Sequence, residues 1–299
     1  MAEEKQIEIS GKGLKVLAPA KINLTLLVAG QRADGYHNIE TIMAKLGWYD
    51  EIFLERAGKK GIELICKGRW SPEGDENLVY KAWRLIKEEA GIKEDVRIIL
   101  TKNIPSGTGL GSGSSDAAAT LIGVNKLLGL GMSRSKLGKM ALRLGSDVPF
   151  FLDGPLAFCT GRGEKIKKFK EKFNFLAVLV LPNVSVSTKM VYENYKHNDK
   201  VYKDLKRQIN QFVGKKRIDL AAKICANMLL TSCLDLNERL LDLKERIESL
   251  TGERLCLSGS GSSMFYILRK GQEKKAEEIR GKISIIKGCE CIILKNNRW

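Results

Sequence analysis

The residues with the clearest chemical use lie in "NIPSGTGLGSGSSDAAATL", Asn103 to Leu121. Gly107, Gly109, Gly111 and Gly113 alternate with Thr108, Leu110 and Ser112; Ser114, Ser115 and Asp116 follow, and the composition then turns to Ala and Leu. Bare backbone lets N–H groups approach a phosphate without side-chain interference, and a helix N-terminus adds positive potential at the same place. Ser114 and Ser115 bring hydroxyls to that point, for phosphate or for Mg²⁺, and Asp116 is placed to face the helix dipole. A flexible linker is the rival reading, but a Gly/Ser linker seldom stands between a strand and a clean helix. Two common nucleotide loops are excluded. No Gly-Lys is followed by Ser or Thr, and no Gly-x-Gly-x-x-Gly occurs. A second glycine loop, "LSGSGSSMFYIL", fails the same test, because Met264 stands where Gly259 and Gly261 would need a third glycine.

Other chemical groups are scattered more thinly. Lys21 and Asn23 share the polar side of "LAPAKINLTLLV". Asp147 stands in "GSDVPF", and Tyr36 and His37 close the turn "RADGYH". Each has a plain alternative: a surface lysine, a cap before Val-Pro, turn punctuation.

These residues need elements to hold them. Ala18, Ala20, Ile22, Leu24, Leu26 and Val28 alternate with Pro19, Lys21, Asn23 and Thr25, the period of a strand with one apolar face. Residues 14–56 therefore read as strands. "DENLVYKAWRLIKEEAG" reads as a helix stopped by Gly91. "VRIILTKNIP" reads as a strand, followed by the glycine loop and a helix to about Gly129. Another helix leads into the Asp147 turn. After the strand "FNFLAVLVLP" the chain turns mostly helical from Lys189. It closes on strand, small glycine loop, strand, helix and strand. A soft boundary falls near 165, with no linker or repeat.

Composition narrows the classes. The chain has 299 residues, with 51 Lys and Arg against 35 Asp and Glu, a formal net charge of +16. That balance suits polyanionic partners, yet the charge is dispersed and no nucleic-acid-binding signature accompanies it. The longest apolar run, Phe175 to Leu181, is too short for a bilayer, and the polar N-terminus does not resemble a secretory signal. We expect a cytoplasmic protein without membrane or nucleic-acid partners. Seven cysteines without a Cys-x-x-Cys pair, and only His37 and His197 as histidines, argue against zinc. The thiols are expected to be buried and reduced.

"PSGTGLGSGSSDAAATL" resembles the ATP-binding motif of the GHMP kinases. "LAPAKINLTLLVAGQRADGYHNIETIM", "LGSDVPFFL", "NVSVSTKMVYENY" and "LSGSGSSMFYIL" resemble, in order, further segments of one branch, the 4-diphosphocytidyl-2-C-methyl-D-erythritol kinases. The resemblance runs from about residue 14 almost to the C-terminus, which leaves the first thirteen residues as an extension. It implies an α+β, two-domain architecture. Residues 1–165 would form an ATP-binding domain like ribosomal protein S5 domain 2, and residues 166–299 a ferredoxin-like domain on the substrate side. It further implies Asp147 as general base and Lys21 as its cationic neighbour. Pro105, Gly107, Gly109, Leu110, Gly111, Ser112, Gly113, Ser114, Ser115 and Asn77 would lie around ATP, with Mg²⁺. Asn23, Tyr36, His37, Thr188, Tyr192, Gly259 and Gly261 would meet a small-molecule acceptor, with cytosine between Tyr36 and Tyr192. Another GHMP acceptor, such as homoserine or mevalonate, is the rival within the class, and a basic nucleic-acid-binding protein on an S5-like fold is the rival outside it. Oligomeric state is not legible.

Overall fold

The structure is a computed structural model that describes residues 6–57, 62–68, 74–170, 173–297 and 299. Four strands come first: β1 (Ile7–Ser10), β2 (Gly13–Gln31), β3 (His37–Ala57) and β4 (Glu63–Lys67). Then follow α1 (Leu78–Ala90), β5 (Asp95–Thr101), α2 (Ser112–Leu127), α3 (Arg134–Leu144), the single turn α4 (Val148–Phe151), β6 (Leu156–Gly161) and β7 (Lys165–Lys168). The remainder is β8 (Phe175–Pro182), α5 (Thr188–Glu193), α6 (Asp199–Gly214), α7 (Ile218–Lys223), α8 (Leu230–Asp235), α9 (Glu238–Thr251), β9 (Cys256–Leu257), β10 (Met264–Arg269), α10 (Glu273–Ser284) and β11 (Cys289–Lys295).

Two sheets organise these elements, and the α+β expectation holds. The first runs β1-β2-β3-β5-β4, with β6 added to β3 and β7 to β6; the second runs β11-β8-β10-β9. β7 straddles the boundary expected at 165. The extension is partly structured, since β1 pairs antiparallel with β2, Ile7 facing Val16 and Ile9 facing Leu14.

Helix ends follow local chemistry. Asn77 caps α1 by accepting from Val79 N, and Gly91 closes it at φ 60°. Its apolar stripe, Val79, Ala82, Trp83 and Ile86, packs with Val16, Ile52 and Leu54 of the sheet and Leu121 and Val124 of α2. β8 is buried along its whole length. Ala177, Leu179 and Leu181 meet Ile22 and Leu24 of β2, whereas Leu176, Val178 and Val180 meet Leu240 and Ile247 of α9 and Ile279 and Ile283 of α10. A strand buried on both faces reads as a continuous apolar run, and "FLAVLVL" is one. β2 is therefore shared between the two halves. The bridges Leu26–Asn227 and Leu46–Asn296 join them further.

The thiol expectation needs one correction. Cys225, just beyond α7, and Cys256, in β9, form a disulfide, while Cys66, Cys159, Cys233, Cys289 and Cys291 are free. The partners are 31 residues apart, and only the packing of α7 against the second sheet brings them together. No helix among the described residues is long and apolar enough to cross a membrane.

Candidate active site

β2 carries the centre of the site. Its register against β3 shifts between Pro19 and Lys21 and again between Asn23 and Thr25. Such irregularities re-aim side chains, and here they bracket Lys21 and Asn23. The polar side of β2 does not face bulk water: Lys21 is 3% and Asn23 5% exposed. Lys21 Nζ donates to Asn23 Oδ1 at 2.7 Å and to Gly109 O at 3.0 Å, and lies 3.4 Å from Asp147 Oδ2. Asn23 is oriented in turn, its Nδ2 donating to Thr41 Oγ1 at 2.8 Å. Asp147 occupies the N-cap position of α4, but its side chain makes no capping bond. The carboxylate is left to face Lys21.

The glycine loop is bolted to its surroundings by backbone. Lys21 N donates to Leu110 O at 2.9 Å. Gly109, at φ 80°, lies so close to the second loop that a Cβ would stand 2.1 Å from Ser258 O. Gly111, at φ 70°, would meet Lys21 and Phe151. Both positions need glycine for backbone angle and for closeness. Ser258 Oγ donates to Gly109 O at 2.9 Å, and Ser263 N to Thr108 O at 3.0 Å, so the two glycine loops hold each other. α2 starts directly from Gly111, and Ser112, Gly113 and Ser114 of its first turn face an open cleft of roughly 790 Å³.

That cleft gathers most of the expected residues. Lys21, Asn23, Gly107, Gly109, Gly111 and Asp147 line it together, as do Tyr36, His37, Thr188, Tyr192 and Gly259 on the other side. Tyr192 packs against His37 with ring centroids 5.6 Å apart, and Thr188 Oγ1 lies 2.8 Å from Ser260 Oγ. Burial lowers the His37 pKa, helped by nearby His197, and raises that of Tyr192, helped by the Asp147 charge. Tyr36 is half exposed, and the guanidinium of Arg162 lies over its ring, 3.7 Å from the centroid.

Five expected residues do not line the cleft. Pro105 accepts from Thr108 Oγ1 at 3.0 Å, Leu110 is buried, and Asn77 caps α1. Gly261 packs towards Cys233, and Ser115 is 1% exposed on the inner side of α2. Of the two serines offered as metal or phosphate contacts, Ser114 is the one that reaches the cleft.

Three elements of the site were not anticipated. Asp116 does not face the helix terminus but turns inward to Lys102 Nζ at 2.7 Å. Lys102 also donates to Asp50 and Ser112, and Asp50 Oδ1 accepts from Asn103 N at 2.6 Å and Ile104 N at 2.8 Å. This cluster seats the segment leading into the loop. Burial, with the neighbouring Asp50, raises the Asp116 carboxyl to about 8, against the pull of Lys102. Asn227 supports the second loop, its Nδ2 donating to Leu257 O at 2.9 Å and Gly259 O at 2.8 Å. Arg162, on the β6–β7 turn, is the third. For Asp50 and Lys102 the advance signals were a lone Asp in "GWYDEIFL" and a lone Lys before "NIP".

Comparison with known proteins identifies the family. The GHMP kinases N terminal domain matches residues 77–155, the segment holding the loop and Asp147. A 4-diphosphocytidyl-2-C-methyl-D-erythritol kinase of Bacillus cytotoxicus is 36% identical over 255 residues, 85% of this chain and 88% of that protein. A solved 4-(cytidine 5'-diphospho)-2C-methyl-D-erythritol kinase superposes with a TM-score of 0.74 at 31% identity, covering 95% of this chain and all of that one. Homoserine kinase from Cytophaga hutchinsonii shares the fold, with a TM-score of 0.73 at 20% identity over 97% of this chain and 96% of its own. With relatives this similar over most of its length, and a glycine loop and Lys–Asp pair sharing one cleft, the chain belongs to the 4-diphosphocytidyl-2-C-methyl-D-erythritol kinase family of the GHMP kinases.

Proposed function

We propose that the chain transfers the γ-phosphoryl group of ATP to the 2-hydroxyl of 4-diphosphocytidyl-2-C-methyl-D-erythritol, in the cytoplasm, as a step of non-mevalonate isoprenoid precursor synthesis. One observation carries the reading: Lys21 Nζ stands 3.4 Å from Asp147 Oδ2 in a cleft with the glycine loop on one side and Tyr36, His37 and Tyr192 on the other. ATP phosphates would take the loop and the N-terminus of α2. The cytosine ring would take the aromatic side, where stacking is worth roughly 1–3 kcal/mol per base.

In this reading Asp147 accepts the proton of the acceptor hydroxyl as that oxygen bonds to the γ-phosphorus. The bond from phosphorus to the bridging oxygen of ADP breaks, and ADP leaves. Lys21 holds Asp147 in place and offsets charge on the phosphoryl group in flight, while Asn23 orients Lys21 and reaches the acceptor. Such transfers depend on positioning and charge more than on covalent help. Mg²⁺, when bound with the nucleotide, would neutralise phosphate charge. No group of three His, Cys, Asp or Glu suited to a metal stands among the described residues. Such an ion would be held chiefly by the nucleotide phosphates and water, with Ser114 as a serine hydroxyl that lines the cleft.

The test is ADP release with Mg²⁺-ATP and 4-diphosphocytidyl-2-C-methyl-D-erythritol, with homoserine and mevalonate as rival acceptors. Turnover with the cytidyl acceptor alone supports the assignment. Turnover with a rival instead would keep the phosphoryl chemistry and remove the role given to the aromatic side.

A further inference from the structure

Among the described residues three cationic side chains, Lys21, Arg162 and Lys189, line the cleft, and they are not equivalent. Lys21 is committed to Asp147, Asn23 and Gly109, and Lys189 reaches Glu193 at 3.8 Å. Arg162 has no carboxylate within ion-pair distance among the described residues, and its guanidinium makes no hydrogen bond there. Its Nε is nonetheless shut off from solvent and unpartnered. The terminal nitrogens of a guanidinium with no protein partner inside a substrate cleft are open to an anionic ligand.

The turn that carries Arg162 is firmly built. Gly163 N donates to Thr160 O at 3.1 Å, and Glu164 Oε2 accepts from Arg162 N at 2.6 Å. Gly163, at φ 119°, sits so near the reaction centre that a Cβ would lie 3.6 Å from Asp147 Oδ1. The backbone beside Arg162 thus touches the Asp147 segment, while its guanidinium reaches Tyr36. It lies over one face of that ring, 3.7 Å from the centroid. Arg162 therefore bridges from the reacting end of the acceptor site to its base end. In a nucleoside diphosphate-linked alcohol, the group between the base and the reacting hydroxyl is the diphosphate.

We infer that Arg162 grips the diphosphate of the acceptor and makes this cleft select a nucleoside diphosphate conjugate over an uncharged or shorter alcohol. The inference rests on the proposed acceptor. Arginine suits the task because its planar fork can bond two phosphate oxygens at once while its face stays on an aromatic ring. Stacking on Tyr36 holds the fork in position before the ligand arrives.

The experiment compares cytidine with cytidine 5′-diphosphate by calorimetry, on wild type, Arg162→Ala and Arg162→Lys, beside steady-state kinetics with the full acceptor. Wild type is expected to prefer the diphosphate. Arg162→Ala should bind cytidine as wild type does but lose about 10–100-fold for the diphosphate, the usual scale for hydrogen bonds to charged groups. The acceptor KM should rise in step, with kcat and the ATP KM unchanged. Arg162→Lys should recover part of the loss, as a point charge without the fork. An equal loss for cytidine and its diphosphate, or a rise in the ATP KM alone, overturns the inference. Wild type that turns over the acceptor while Arg162→Ala keeps its diphosphate preference removes Arg162 and leaves the kinase assignment standing. Wild type that neither binds cytidine 5′-diphosphate nor turns over the acceptor removes both.

Discussion

Two lysine–aspartate centres flank the glycine loop, built from the same residue types with opposite consequences. On the cleft side, Lys21 meets one carboxylate, Asp147, whose side chain is 32% exposed. On the inner side, Lys102 meets two, Asp50 and Asp116, and all three side chains are at most 4% exposed. An ion pair at the edge of a cleft can gain and lose partners as ligands and protons come and go. A buried pair cannot, because any uncompensated charge there keeps its desolvation penalty. The cleft pair is suited to chemistry, and the inner cluster to holding the loop that presents the chemistry. The cleft pair is also the looser, 3.4 Å against 2.7 Å for Lys102 and Asp116, but access decides which of the two can do chemistry.

The sharpest way to break this division is to neutralise one member of each centre. Asp147→Asn keeps shape and removes the proposed base, so kcat should fall roughly 10²–10⁴-fold, the usual range for a positioned acid–base group. Thermal stability should stay near wild type. A mutant that melts early instead would put Asp147 in the structural class with Asp116. Lys102→Met makes the converse change. It leaves Asp50 and Asp116 buried without their cation and should cost about 3–5 kcal/mol in urea unfolding. A loss of activity with unchanged stability would move Lys102 to the catalytic side.

This division also marks how far the sequence could be read. The cleft pair was legible because Lys21 and Asp147 each lie inside an ordered motif, and the glycine loop announces itself by composition. The inner cluster was not, since Asp50 comes from β3, Lys102 from the residue just past β5 and Asp116 from α2, and the sheet pairing of β3 with β5 brings the first two together. Asp116 was visible but was assigned to the helix terminus, since one-dimensional spacing does not say which way a first-turn side chain points. The alternation in β2 was correct as a period. Its polar side turned out to be the floor of a cleft because the glycine loop and the Asp147 turn close over it, which no local pattern encodes. Cys225 with Cys256, and Arg162 over Tyr36, are likewise contacts between segments distant in the chain.

The aromatic side of the cleft offers a smaller test. Tyr192→Ala removes the ring that packs on His37. Acceptor binding should weaken by roughly 1–3 kcal/mol, with ATP binding unchanged. An unchanged acceptor Kd would show that His37 and Tyr36 hold the base without Tyr192. An equal loss for ATP would mean that the cleft had collapsed as a whole.

The smallest effect concerns the proton in the inner cluster. One lysine cannot neutralise two carboxylates, so one of them favours its acid form. Asp50 accepts two backbone N–H bonds besides its side-chain partners. Asp116 Oδ1 has no hydrogen-bond partner among the described residues, and its carboxyl is raised to about 8. The folded chain then holds a proton at Asp116 that the unfolded chain has released above about pH 4. Since the native state binds more protons in that window, this group's contribution to stability falls as pH rises from about 4 to 8. Asp116→Asn imitates the acid form at every pH. Its advantage over wild type should be small at pH 5 and larger at pH 8.5, in urea titrations at the two values. Parallel pH dependence in the two proteins would place the buried charge on Asp116 after all. The inner cluster would then carry two fixed negative charges beneath the loop, and the ammonium of Lys102 would be shared between them rather than matched to Asp50.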